Sequence, residues 1–151
     1  MEDVEMRGSK KTKNRLDEIR KMGQRRYLEG LVVALEDEND LIRLEAVEWL
    51  YRICDEGTIE PLIGALKDTN SKIREYAILA LIFIGGDEVF EPLINALDDT
   101  SDRIRNYAAE ALGEIGDKRA LVPLEELLSK GYNKTAREAI IKIKFGIRKD
   151  Y

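Results

Sequence analysis

Few side chains in this sequence combine a reactive type with a spacing that chemistry could use. The 151 residues include no histidine, so the commonest general base and metal ligand is missing. Cys54 is the single cysteine, and the apolar Tyr51 and Ile53 beside it are typical of a packed thiol. No phosphate-binding glycine loop or nucleophile elbow occurs. The sequence therefore predicts a protein that is not an enzyme and has no catalytic residue, metal site or cofactor.

A fixed period, in contrast, runs through most of the chain. Pro61, Pro92 and Pro123 are spaced 31 residues apart, and residues 60–87 agree with residues 91–118 at 16 of 28 positions. A period of this length indicates a stacked array of structural repeats. Aligned apolar positions extend the array to four repeats, at residues 28–56, 59–87, 90–118 and 121–147.

Each repeat has the pattern of a short helix followed by a longer one. In repeat 2, Pro61 suits the first turn of the short helix, where its missing N–H is not needed. Apolar residues between 73 and 84 follow helical spacing, and Gly85 ends the second helix. Small residues at one phase of the second helices predict close helix packing: Ala46, Ala77, Ala108 and Ala139.

The composition is that of a globular protein in water. Apolar residues make up 44% of the chain and charged residues 36%, and no apolar run approaches the roughly 18–20 residues that span a bilayer. A single cysteine favours a reducing, cytoplasmic location. The scarcity of glutamine and cysteine beside many charged residues resembles the composition of thermophilic proteins.

Charge separates the first 26 residues from the rest. Residues 1–26 hold nine Lys or Arg and five Asp or Glu, a net charge of +4, whereas the remainder carries −9 of the total −5. We expect residues 1–13 to lack fixed structure and residues 14–22 to form a short helix. Residues 27–151 are then a single repeat domain behind a basic N-terminal segment.

The repeated residues resemble a known family. Residues 103–117 read Arg-Ile-Arg-Asn-Tyr-Ala-Ala-Glu-Ala-Leu-Gly-Glu-Ile-Gly-Asp, which is similar to HEAT repeats and most similar to the short form of phycobilin (PBS) lyase-like HEAT proteins. The likeness covers about residues 28–147. It implies an all-α fold, an α-α superhelix forming a right-handed solenoid of about four HEAT-like helix pairs.

The resemblance also implies a ladder of hydrogen bonds between neighbouring repeats. HEAT proteins commonly form it between an aspartate in the turn and an arginine six residues later. Repeat 4 has Lys130 and Ala136 at these positions, as suits a terminal repeat. A catalytic role for the pairs is the alternative, but charge pairs recur wherever a fold repeats. The matching pairs are Asp37 with Arg43, Asp68 with Arg74, and Asp99 with Arg105.

In HEAT arrays the second helices typically line a concave face, which predicts a binding surface. The residues opposite the core positions are Glu45, Glu48 and Arg52 in repeat 1, Tyr76, Leu79 and Phe83 in repeat 2, and Tyr107, Glu110 and Glu114 in repeat 3. Aromatic residues with an acidic rim suit a protein or peptide partner of basic and apolar character. In the alternative, neighbouring repeats bury Leu79 and Phe83.

Two other functions stay open at this point. The resemblance allows an enzyme subunit of the phycobilin lyase-like type, although no motif for chemistry supports it. Nucleic acid is the other alternative partner; the acidic body would repel phosphates, and only the basic segment would bind them. The cations available there are Lys10, Lys11, Lys13, Arg15, Arg25 and Arg26. We expect a monomer without membrane association.

Overall fold

The apolar periodicity of the sequence corresponds to helices throughout the part of the chain that the computed structural model describes, residues 2–131 and 133–147. No strand occurs within those ranges. The helices are α1 (Glu2–Gln24), α2 (Leu28–Ala34), α3 (Asp40–Ile53), α4 (Ile59–Ala65), α5 (Ser71–Ile84), α6 (Phe90–Ala96), α7 (Asp102–Ile115), α8 (Leu121–Ser129) and α9 (Lys134–Phe145). Short 3₁₀ turns precede α4, α6 and α8 at Glu56–Thr58, Asp87–Val89 and Lys118–Ala120. The predicted all-α fold is confirmed.

The second helices begin and end at residues with specific backbone roles. Asn39 and Asn70 each accept a backbone N–H from the first turn, of α3 and α5 respectively, which satisfies an otherwise unpaired donor. At the other end, Gly85 and Gly116 adopt φ values of 71° and 74°. Cys54 takes the equivalent left-handed position after α3, with φ 47°. The helix ends therefore keep the period of the sequence.

Helix pairs pack within two compact parts of the chain. In the N-terminal half, up to Ile84, α2 packs on α3 and α4 packs on α5. The longer helices form a row in which α3 contacts both α1 and α5. The C-terminal half, from Gly85, packs α6 on α7, α8 on α9, and α7 on α9. The largest fully buried side chains are Ile19, Leu31, Ile42, Leu50, Leu62, Ile73, Ile78 and Leu81 in the first half and Leu93, Ile104, Leu112 and Leu124 in the second.

Small residues lie where long helices approach one another. Ala46, Ala77, Ala108 and Ala139 are all buried. A Cβ atom added to Gly113 of α7 would lie 2.9 Å from the Cα atom of Ala139 in α9, closer than real Cβ atoms approach a backbone. The alanine period thus marks buried positions of the second helices, and at Ala139 it marks a close contact between α7 and α9.

Helix α1 extends beyond the expected helix at residues 14–22. Residues 2–13, which the sequence predicts to lack fixed structure, lie in this helix. From Thr12 onward, contacts with α3 and the turn before it stabilise a helix that propensity alone leaves marginal. Ile19 is fully buried, Gly23 lies directly against the Trp49 ring, and the Asn39 side chain donates to the Thr12 hydroxyl at 3.3 Å.

Helix α1 repeats the positions of α3 at an offset of 28 residues. Arg26 and Cys54, 28 residues apart, are the two non-glycine residues with positive φ in the described ranges, at 53° and 47°. Arg15 and Arg43 have the same offset, and each approaches an aspartate of a following turn. The connection before α2 lacks the three-residue 3₁₀ turn that precedes α4, α6 and α8, which accounts for 28 in place of 31. The domain division at residue 26 and the repeat boundaries stay predictions.

Candidate interaction face

The implied Asp/Arg ladder exists in the N-terminal half with a different pairing. Arg43 holds the carboxylate of Asp68 in two contacts, from Nε at 2.7 Å and from Nη2 at 3.2 Å. Its Nη1 donates to the backbone carbonyl of Asp37 at 2.8 Å. The arginine thus binds its own turn through the backbone and the turn of the next repeat through the carboxylate. The expected pair of the Asp37 carboxylate with Arg43 is not formed.

The three turns share one geometry. The carboxylate of each turn aspartate accepts the N–H two residues later, at 2.9 Å from Asn39 to Asp37 and 2.7 Å from Ser101 to Asp99. The arginine six residues after each aspartate instead reaches a carbonyl. Arg74 donates to the carbonyl of Asp68 at 2.9 Å and Arg105 to that of Asp99 at 2.7 Å, and Arg105 also pairs with Asp102.

The contact between Arg43 and Asp68 favours the ionised form of the Asp68 carboxyl. Burial by itself acts to raise the pKa of Asp68. Hydrogen bonds from Arg43 and from the Asn70 N–H, together with the charges of Arg43 and Arg74, outweigh burial and lower that pKa below its ordinary value. Asp68 is therefore an ionised structural group, and nothing in its surroundings suits it to accept a proton.

The predicted face residues of α3 are largely engaged inside the protein. Glu45 accepts from Arg20 of α1 at 3.2 and 3.3 Å and from the Trp49 indole at 3.2 Å, and only 17% of its side chain is exposed. Glu48 is 26% exposed and accepts the Tyr76 hydroxyl. Arg52 differs, because 55% of its side chain is exposed. The acidic rim expected on α3 is thus mostly paired.

On α5 the three predicted residues differ in exposure. Tyr76 and Leu79 are half-buried, and Phe83 is 67% exposed. Tyr51 of α3 contacts both aromatic rings, with ring centroids 5.7 Å from Tyr76 and 5.7 Å from Phe83. The hydrogen bond to Glu48, with burial, raises the pKa of the Tyr76 hydroxyl. Phe83 is therefore an accessible ring held by an aromatic neighbour.

The C-terminal half carries the remaining predicted residues. Tyr107 is half-buried and receives a hydrogen bond from Arg103 at 3.4 Å. Glu110 is exposed and lines a crevice of about 100 Å³ between α7 and α9. Glu114 forms an ion pair with Lys142, whose pKa is raised by that hydrogen bond. This part of the face is therefore polar on α7.

The sequence reasoning missed the face of α9. Adding one more period to Leu79 and Glu110 gives Ile141, and adding it to Phe83 and Glu114 gives Phe145. Ile141 is 39% exposed and Phe145 is 75% exposed. The same period would have identified both residues. The C-terminal half thus also presents an exposed aromatic ring at the register of Phe83.

Some cations of the basic segment, residues 1–26, form ion pairs within the protein. Arg15 pairs with Glu18 at 2.9 Å, and Arg20 is bound to Glu45. Other side chains of the segment are exposed, namely Lys10, Lys11, Lys13, Lys21, Arg25 and Arg26. That nucleic acid is not the main partner stays a prediction.

Three overlapping stretches of the chain match the model of the family described as HEAT repeats, at residues 14–82, 28–109 and 59–143. The chain belongs to the HEAT-repeat family. The predicted HEAT repeats and all-α solenoid fold are thereby confirmed, while the phycobilin lyase-like subtype stays a resemblance. HEAT repeats are generally scaffolds for protein interactions. The first match begins inside α1, in agreement with the position of that helix beside α3.

Solved structures show the same fold at low sequence identity. An engineered protein is 24% identical with a TM-score of 0.61, covering 88% of this chain and 68% of its own. The Escherichia coli protein YibA is 22% identical with a TM-score of 0.53, covering 80% of this chain and 55% of its own. The chain thus spans about half of YibA. A search of curated proteins found no match.

Two further findings concern the described residues alone. None of their helices has both the length and the apolar character needed to cross a membrane. No group of three or more His, Cys, Asp or Glu side chains there is arranged to hold a metal ion.

Proposed function

We propose that this protein is a non-enzymatic interaction module that binds a protein or peptide on the concave face formed by its second helices. The observation that carries the proposal is the Phe83 ring, 67% exposed and packed edge-on against Tyr51. Aromatic side chains that are accessible yet held in place are typical centres of protein interfaces.

The residues around Phe83 favour a specific site over a scattered apolar residue. Tyr51, Tyr76 and Phe83 form one connected aromatic cluster across α3 and α5. Leu79 lies one turn from each of the two α5 aromatics. A single exposed apolar residue is ordinary, whereas a group of this kind is typical of a binding surface.

The test compares Phe83→Ala with Val33→Ala. Val33 of α2 is 66% exposed but lies on a first helix, so its variant is a matched control. Each protein is used as bait in the native cell extract, and partners are identified by mass spectrometry. We expect a partner bound by the wild type and by Val33→Ala to be lost with Phe83→Ala.

Thermal unfolding followed by circular dichroism accompanies the capture. Because most of the Phe83 ring is in solvent, we expect Phe83→Ala to cost less than about 1 kcal/mol of unfolding free energy. Tyr76→Ala is a poorer probe, since Tyr76 also hydrogen-bonds Glu48. Equal recovery of the same partners by the wild type and Phe83→Ala would reject the proposed site.

A further inference from the structure

Arg52 provides a fixed and accessible cation beside the aromatic cluster. Its guanidinium carbon lies 5.0 Å from the centre of the Trp49 ring, which restrains the side chain. Arg52 forms an ion pair with Glu48 at 3.7 Å, a distance too long for a hydrogen bond, so its hydrogen-bond donors are not used by that carboxylate. More than half of the Arg52 side chain is exposed. The donors of its guanidinium are therefore available to an incoming group.

The most exposed charged side chain of this surface is the cation Arg52, although the protein as a whole is acidic. Glu45 is bound to Arg20 and the Trp49 indole, and Glu48 accepts the Tyr76 hydroxyl. Both glutamates are mostly buried, unlike Arg52. At the end of the neighbouring helix α1, Lys21, Arg25 and Arg26 are also exposed. Complementarity therefore favours a negatively charged partner group.

The cation and the apolar ring belong to one continuous surface. Glu48 lies 3.7 Å from Arg52 and accepts from Tyr76, whose ring contacts Tyr51. Tyr51 in turn contacts Phe83. We call these residues the Arg52–Phe83 patch: Glu48, Trp49, Tyr51, Arg52, Tyr76 and Phe83. One short peptide segment can contact both of its accessible side chains.

We propose that the Arg52–Phe83 patch binds a peptide segment that carries a carboxylate side chain next to a bulky apolar one. This inference rests on the proposed function and adds the chemistry of its partner. The guanidinium of Arg52 matches a carboxylate with two parallel hydrogen bonds, and Phe83 covers the apolar side chain. The partner proposed here is acidic, whereas the sequence alone predicted a basic one.

An ordinary structural role for Arg52 must be separated from recognition. Arg52 lies in the last turn of α3, where any cation stabilises the helix dipole. Lysine supplies that charge but not the two-donor fork. Arg52→Lys therefore preserves the structural role and impairs only the recognition of a carboxylate.

The experiment selects random peptides of about ten residues, displayed on phage, against the immobilised full-length chain. We expect enriched peptides to place Asp or Glu beside an aromatic or large aliphatic residue. Affinities of the best synthetic peptide are then measured by fluorescence anisotropy. We expect losses of about tenfold or more for Phe83→Ala and for Arg52→Glu, a smaller loss for Arg52→Lys, and no change for Val33→Ala.

The possible results separate this inference from the proposed function. Peptides that require Phe83 but bind Arg52→Glu with the same affinity as the wild type would overturn the inference. The proposed function would still be supported. Enrichment of Lys or Arg in place of acidic residues would do the same. Selection that yields no peptide dependent on Phe83 counts against both proposals. A selection on Arg52→Glu that switches the enriched charge to Lys or Arg would support the inference directly.

Discussion

At the scale of single residues, Arg43 joins two repeats because its guanidinium has more than one donor edge. One edge forms a two-contact pair with Asp68, and Nη1 reaches the carbonyl of Asp37. A lysine in this position would supply one compact charge and not both contacts. The period of the sequence identified the two residue types but not the partner of each. The placement of the next turn beside Arg43 decides that partner, because Asp68 accepts both the Asn70 N–H of its own turn and the Arg43 guanidinium.

We expect Asp68→Asn to lower the free energy of unfolding by about 1–3 kcal/mol at pH 7, because Arg43 then loses its charged partner. The pKa of Asp68 is lowered in the folded protein. Its contribution is therefore present above the ordinary pKa of an aspartate, about 3.9, and is lost as the pH falls through the lowered folded value. The difference from the wild type should narrow below about pH 4.

Urea unfolding between pH 3 and pH 7 measures this dependence. Asp98→Asn is the control, because the Asp98–Lys130 pair is exposed on both sides and should contribute less than about 0.5 kcal/mol. A constant difference between Asp68→Asn and the wild type over the whole pH range would contradict the assigned role of the carboxylate.

At the scale of helices, α1 was the element that the sequence predicted least well. Its side chains occupy the positions of a second helix, but it precedes α3 by 28 residues and not by the period of 31. A comparison at a fixed period cannot align a helix that follows a shorter connection. The missing 3₁₀ turn before α2 is visible only in the backbone. By contrast, the apolar stripes and glycine stops of repeats 2 and 3 were strong enough to predict α5 and α7.

The packing of α1 on α3 depends on Gly23. A Cβ atom at this position would lie 2.0 Å from Cδ2 of Trp49. We therefore expect Gly23→Ala to destabilise the protein by about 1–3 kcal/mol, although alanine favours a helix. Chemical denaturation followed by circular dichroism measures the change.

Gly64 provides the matched control for Gly23. It lies in α4, and a Cβ atom there would meet nothing within 4 Å. Gly64→Ala should be neutral or should stabilise the protein by up to about 1 kcal/mol. The cost of Gly23→Ala should also shrink in a Trp49→Ala background, since the clash is then removed. An unchanged cost in that background would refute the assigned contact.

At the scale of the whole molecule, the repeat fold follows from the sequence more directly than the binding surface does. The residues that form the core recur in every repeat, so the residue type at one aligned position supports the structural role assigned to the others. Phe83 and Leu79 occupy positions that vary between repeats, and their exposure depends on neighbouring side chains. The sequence therefore left two interpretations open, of which the structure supports accessibility for Phe83 and partial burial for Leu79.

The repeat architecture predicts that one full period can be removed. Deleting residues 78–108, which is 31 residues, joins Ala77 to Ala109 at the position that Ile78 occupies. We expect a folded, helical protein that is less stable, because the array loses one set of contacts between repeats. The urea m value should fall by about a fifth, in proportion to the surface lost.

The control removes residues 78–106, two residues fewer. Each residue turns a helix by about 100°, so this junction rotates the following apolar stripe by about 200°, away from the core. We expect that variant to lack a cooperative transition. Cooperative unfolding of both deletions with similar midpoints would show that the register of the repeats does not determine the fold.

The short sequence distance between Arg43 and Asp68 has a kinetic consequence. Their ion pair closes a loop of only 25 residues, less than one period. Proteins in which most contacts are this local have low contact order and fold within microseconds to milliseconds. Repeat arrays can also begin folding at more than one place and then extend to the neighbouring repeat. Refolding of this chain should therefore be fast, and substitutions at different repeats should affect its rate through different starting points.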